Sequence, residues 1–436
     1  MVLVHPTQIG PAGLPALADL GYEPSLATLA TNGTAMHRRL TPLPSVVFAA
    51  LAMAGSALAA ACGAPAAPAA PSPAAPAAVA PAPVAEPAAP VSTPLTAGER
   101  EAVGGRIFYL AERAGGATVD VILPSGQGAK TMLSGTAGDG PPSVLPGPVA
   151  PGGEWMAVIT VDEHEGGHAE RIEVRPLDAA GVLGEPVWRS DAAPQVRSPS
   201  WSPDGRTLAF EAAFTSFRDI YALDLADKTV PKLRRLTDHP AGNYEPAYSP
   251  DGRQIAFVSS RDGNAEIYVM HADGSEPRRV THFQLDDWGP VWSKDGGTLA
   301  FISNRESVDR IFLCKPDGTE LRRVTPETMD ARKSFEPGEA EPTFSPDGTG
   351  LVFSVRTGPQ QAALRRADLA TGAITPLTSG TSSDREPTFA PDGKLLVFAS
   401  DRDGDPELYL MRPDGTGVAR LTERQGADWL PRWSPR

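Results

Sequence analysis

Cysteine is nearly missing from this chain, with two in 436 residues. That excludes a disulfide framework, which a core of this size does not need. Also absent are a G-x-S-x-G elbow, a phosphate-binding P-loop and a Cys-x-x-Cys pair. The usual signatures of serine-hydrolase, nucleotide and thiol-redox chemistry are therefore missing. The apolar stretch from Val46 to Ala61 is short for a membrane span. Excess positive charge is lacking too, since the formal net charge is −14. An acidic surface argues against nucleic acid and anionic membranes as partners.

What is present is a repeat. Seven prolines, Pro148, Pro199, Pro246, Pro290, Pro342, Pro387 and Pro431, each open a short apolar run that leads toward a tight turn. The intervals between them are 51, 47, 44, 52, 45 and 44 residues, in or just beyond the range of propeller blades. The clearest copies read SPSWSPDGRTLAF, EPAYSPDGRQIAF, EPTFSPDGTGLVF and EPTFAPDGKLLVF. In Ser-Pro-Asp-Gly, proline presets φ at the second turn position and glycine takes the left-handed fourth, so each copy starts a hairpin. Further runs such as IAFVSS, EIYVM and RRVT, separated by polar turns, complete four short antiparallel strands.

Such sheets cannot hide both faces alone and must pack around a ring. The first unit, starting at Gly105-Arg106-Ile107, lacks an opening strand, whereas the final LPRWSPR supplies one with nothing after it. The expected fold is an all-β, seven-bladed β-propeller over residues 99–436, closed by the C-terminal strand pairing in the first blade. A six-bladed ring is the alternative.

The segment before the ring divides in three. Residues 1–35 read as a non-native upstream extension, with the true start expected at Met36. Residues 36–61 have the basic start, modest apolar length and small-residue exit of a signal peptide. Leu58-Ala59-Ala60-Ala61-Cys62 is similar to a bacterial lipoprotein box, with Cys62 as the lipidation site; cleavage to a soluble secreted protein is the alternative. Residues 62–98 form a Pro/Ala-rich disordered tether, with ten prolines and one charge, Glu86, between residues 63 and 97. In an extended polyproline conformation it reaches up to roughly 100 Å. Cys314, without a partner, takes the repeat position of Met270 and Met411 and is expected to be a small buried apolar residue.

Two motifs invite metals. His164-Glu165-Gly166-Gly167-His168 matches H-E-x-x-H, which binds zinc only when a helix puts both histidines on one face. Between the runs MAVITV and ERIEVR it is a hairpin loop. Asp401 to Glu407 resembles a calcium loop, but Pro406 sits where that loop needs glycine and Arg412 where it needs glutamate. It reads as a turn, and neither metal nor cofactor is expected.

The loops leading into each proline must gather on one face. There Tyr244, Glu245, Asp286, Asp287, Trp288, Phe335, Glu341, Asp384, Glu386, Asp428 and Trp429 are expected to form an acidic surface with aromatic anchors. Tyr244, Trp288 and Trp429 stand two residues before a proline, so for them wedging between blades is the favoured reading and binding the other. Arg234-Arg235, Arg278-Arg279 and Arg322-Arg323 fall on outermost strands, where charge protects an edge.

From about residue 104 to 436 the pattern PxWSPDGxxLxF, SxRDGxxEIYxM and DGxxxRRLT resembles the WD40-like repeats of the TolB family. That resemblance implies a periplasmic propeller that docks an envelope lipoprotein. Three features depart from the family: a Pro/Ala segment in place of a small α/β domain, seven blades in place of six, and a lipoprotein-like leader. The functional expectation is an exported, lipid-anchored monomer at the periplasmic or cell-surface side of the membrane. It would bind a protein partner or cell-envelope component and would not be an enzyme. One alternative is a propeller polysaccharide lyase or hydrolase with a metal in its channel; another is a sensor or recruiting module of a larger envelope assembly.

Overall fold

The computed structural model describes residues 93–135, 143–164, 167–326 and 338–435, with the side chains of residues 163 and 164 left aside. The expected signal peptide, most of the tether, Cys62 and Phe335 lie outside the described residues. Twenty-eight strands form seven four-stranded antiparallel sheets among the described residues. Blade 2 contains β4 (Val144–Val149), β5 (Trp155–His164), β6 (Gly167–Pro176) and β7 (Trp188–Arg189). Blade 3 runs from β8 (Val196–Trp201) through β9 (Thr207–Ala212) and β10 (Asp219–Asp224) to β11 (Lys232–Arg235), and blades 4 to 7 repeat the pattern to β27 (Ala419–Arg420). In each of blades 2 to 7 the chain enters at the innermost strand and leaves at the outermost.

Blade 1 is the exception that closes the ring. Its innermost strand is the C-terminal β28 (Ala427–Trp433), paired antiparallel to β1 (Ile107–Arg113), which continues into β2 (Gly116–Ile122) and β3 (Lys130–Ser134). The seven-bladed expectation holds, and with it the closure by LPRWSPR. The pairing covers the edge that β1 would otherwise expose.

Apolar clusters sit between the sheets. Phe210, Phe257, Phe301, Phe353 and Phe398, one in the second strand of each of blades 3 to 7, are fully buried. Cys314 pairs in register with Leu299 as Met270 does with Ile255 and Met411 with Leu396. It is buried, and its thiol is pushed up to about 12 by that burial.

The Ser-Pro-Asp-Gly turns work as expected. In blade 4, Asp251 accepts from Ser249 Oγ (2.6 Å) and from the Arg253 N–H (3.0 Å), while Gly252 has φ +71°. A short helix, α1 (Ala97–Ala102), precedes the ring. It is started by a capping box between Thr96 and Glu99. Glu99 accepts from Arg412 Nε (2.9 Å) and Arg100 Nε donates to the Pro124 carbonyl (2.8 Å), which fixes the helix across the seam of blades 7 and 1.

Candidate binding face

Each innermost strand carries a bulge at its X-Pro step. Proline has no N–H to give to a ladder, so the pairing skips a step there, between Tyr244 and Ala247 in blade 4 for example. The residue before the proline is left-handed in six blades: Ser198, Glu245, Gly289, Glu341, Glu386 and Leu430, with φ between +51° and +63°. For a residue with a side chain this conformation is costly. Its benefit is that the amide turns toward the neighbouring blade.

A carboxylate waits there. The Glu245 N–H donates to Glu211 (2.7 Å), Gly289 to Glu245 (2.7 Å), Glu386 to Glu341 (2.7 Å) and Leu430 to Glu386 (2.6 Å). Glutamate before proline thus ties one blade to the next, by charge-assisted bonds of the stronger kind. Tryptophan in PxWSPDG adds a second tie: Trp201 Nε1 donates to the Pro148 carbonyl (2.9 Å) and Trp292 to that of Ala247 (3.0 Å). Burial and the neighbouring Glu211 carboxylate raise Glu245 to about 7. Glu341 is raised by burial and by the charge of Glu386. The half-buried Arg432 lies in the field of the Glu386 and Glu341 carboxylates.

The expected surface carboxylates are therefore turned inward. Asp287, Asp384 and Asp428 are 0% exposed. Arg305 Nη2 binds Asp287 (2.9 Å), Arg402 Nη2 binds Asp384 (2.8 Å) and Arg113 Nη2 binds Asp428 (2.6 Å). Asp286 accepts the Ala265 N–H (2.8 Å). Tyr244 donates to the Ala241 carbonyl (2.8 Å) beneath the Arg218 guanidinium, 3.9 Å from its ring centroid. Trp288 and Trp429 pack into the apolar clusters between blades. Of the two readings for these aromatics, the structure places them as wedges.

The other motifs resolve in the same structural way. His164 pairs with Gly167 at the end of the β5–β6 hairpin, so the H-E-x-x-H stretch is not helical; residues 165 and 166 lie outside the described residues. In the Asp401 to Glu407 turn, Asp401 accepts the Ser383 N–H (2.7 Å), Asp403 accepts the Tyr409 hydroxyl, and Glu407 binds Arg420 (2.6 Å). Among the described residues no group of His, Cys, Asp and Glu is arranged to hold a metal. In two of the arginine pairs the second member is drawn inward: Arg235 binds buried Asp219 (2.5 Å) and Arg279 buried Glu266 (2.6 Å), while Arg278 donates to the Pro316 carbonyl (2.8 Å). In the third, Arg323 binds Glu306 (2.6 Å).

What remains exposed on this face was not singled out from the sequence. Because strands alternate in direction, the loops after second strands and after outermost strands share one face; Asn264 Nδ2 donating to the Leu285 carbonyl (2.8 Å) joins the two kinds. On these loops Phe217, Phe283 and Leu285 are 45%, 39% and 43% exposed. Arg305, already bound to Asp287, lies 5.0 Å from the Phe283 ring centroid. The available signal was apolar residues in connections that otherwise carry polar turns, FTSFRD and THFQLDD.

Seven four-stranded sheets closed by strand exchange between the chain ends define a β-propeller. Residues 188–340 and 333–436 match the TolB beta propeller domain. That is more than half of the chain, and the chain belongs to this family. A Protein TolB homolog of Chlorobium luteolum is 33% identical over 96 residues, 22% of this chain. The match spans 21% of that relative's length. TolB from Acinetobacter baumannii shares 23% identity, with 78% of this chain and 86% of that one covered and a TM-score of 0.48. The periplasmic gluconolactonase PpgL of Pseudomonas aeruginosa shares 16% identity, with 76% and 99% covered and a TM-score of 0.53. At 16% identity this last likeness is one of fold.

Proposed function

We propose that this propeller is an exported, non-enzymatic binding platform for a protein partner or cell-envelope component. In this reading it is held at the membrane through a lipid on Cys62 and the Pro/Ala tether. The observation that carries it is the exposure of Phe217, Phe283 and Leu285 on one face, while the carboxylates beneath are consumed by blade-to-blade ties or by arginines of their own blade. Aromatic side chains left in solvent beside fixed guanidinia are typical anchors of protein interfaces. Membership of the TolB propeller family supports the same reading. A catalytic channel is less supported, because the glutamates around it already accept backbone amides of adjacent blades.

The test is photo-crosslinking in intact cells from a probe replacing Phe283, with a second probe at exposed Val230 on another loop as control. A specific adduct at position 283, lost when Phe217 and Leu285 are changed to Ser, is expected. Equal capture from both positions, or none at 283, would refute the face.

A further inference from the structure

In blades 3, 4, 5 and 7, the buried phenylalanine of the second strand faces an aromatic ring on the third: Phe210 with Tyr221, Phe257 with Tyr268, Phe301 with Phe312 and Phe398 with Tyr409. Blade 1 breaks this pattern twice. Its phenylalanine is Tyr109, and the residue opposite, in register, is Asp120. The outer ring of the stack is missing. Tyr109 is fully buried and its hydroxyl has no hydrogen-bond partner among the described residues. A buried donor left unmade is costly, and natural cores seldom keep one without a reason.

Tyr109 sits on the side of β1 turned toward blade 7, and it forms part of the wall of a crevice of about 360 Å³ at the ring seam. That volume falls within the range of small-molecule sites. Ile122 and Leu421 give the crevice an apolar lining, and Arg100, Arg420 and Arg424 give it positive charge, with Glu423 the acid in the wall. The three guanidinia are not equally engaged. Arg420 is bound to Glu407 (2.6 Å), and Arg424 reaches Asp120 (3.4 Å) and the Ala129 carbonyl (3.2 Å). Arg100, carried in by α1, donates to the Pro124 carbonyl and makes no ion pair among the described residues. Burial raises the Tyr109 hydroxyl above its ordinary range, so it stays protonated and keeps a proton to donate.

We infer that this seam crevice binds a small organic carboxylate, whose flat apolar body replaces the absent ring and whose carboxylate accepts from Arg100 and the Tyr109 hydroxyl. The unpartnered hydroxyl and the unpaired guanidinium call for an acceptor, and the walls call for an apolar body. This site lies at the seam of blades 7 and 1, on other residues than Phe217, Phe283 and Leu285, and does not depend on the platform reading.

The experiment titrates the purified chain with benzoate, its neutral isostere benzamide, and inorganic phosphate, followed by ligand-observed NMR and melting temperature. Saturable benzoate binding that benzamide does not reproduce is expected. Tyr109→Phe, which restores the residue of blades 3 to 7, should keep the unliganded melting temperature or raise it. It should also weaken benzoate at least five-fold, as should Arg100→Gln. Equal benzoate affinity in wild type and both variants, equal binding of benzamide, or binding of phosphate without benzoate would each overturn the assignment.

Discussion

Replacing Glu386 with Ala cuts the ring where it has no covalent connection. Its carboxylate accepts the Leu430 N–H at 2.6 Å, and Leu430 belongs to β28, the strand that closes the propeller. A hydrogen bond to a charged acceptor contributes about 1.5–3 kcal/mol, and an orphaned buried donor adds to the loss. Arg432, whose charge Glu386 and Glu341 offset, would lose one of its two counter-charges. Together the variant should lose about 2–4 kcal/mol. For a domain of about 330 residues that is roughly 3–6 °C in melting temperature. Glu386→Gln keeps an acceptor without the charge and should lose about half as much. Thermal unfolding at pH 7.5, with hydrogen exchange of the β28 amides, reads both effects. Unchanged stability in Glu386→Ala, with β28 as protected as in wild type, would refute the role assigned to these carboxylates.

Glu245 gives a pH dependence with a definite sign. Its folded pKa, about 7, lies above its ordinary value of 4.5, so its contribution favours the fold fully below pH 4.5 and is lost as pH rises through 7. Relative to Glu245→Gln, wild type should lose ~3 kcal/mol between pH 4.5 and 8; parallel denaturation curves would contradict this. The Cys314 thiol, buried and pushed up to about 12, should resist alkylation at pH 8 in the folded protein and react on unfolding. Rapid labelling of native protein would show that the cluster around it opens. Arg113→Ala should cost about 3–5 kcal/mol by leaving the buried carboxylate of Asp428 without its guanidinium; a loss under 1 kcal/mol in urea unfolding would show the pair to be unimportant.

Blade number and ring closure were readable because both are written in spacing: seven prolines at blade intervals, an opening unit short of one strand and a tail that supplies it. Turn glycines and the buried position of Cys314 were readable for the same reason. The direction of the carboxylates was not. Glu245, Glu341 and Glu386 precede proline in what looks like a surface loop, and only a left-handed bulge sends the next blade's amide toward each side chain. Asp287, Asp384 and Asp428 vanish inward because an arginine from the following turn, or from β1 for Asp428, reaches back over them, a pairing across 18 or 315 residues. Phe217 and Phe283 escaped notice because a repeat draws attention to what recurs, and these two do not recur.

The most direct test of the closed ring is deletion of residues 427–436. Loss of β28 leaves β1 with an open edge and removes the partners of Glu386 and Arg113. The shortened chain should melt more than about 10 °C lower or fail to fold, with a synthetic 427–436 peptide restoring stability in proportion to its concentration. A shortened chain that unfolds at the wild-type temperature and ignores the peptide would contradict closure by strand exchange.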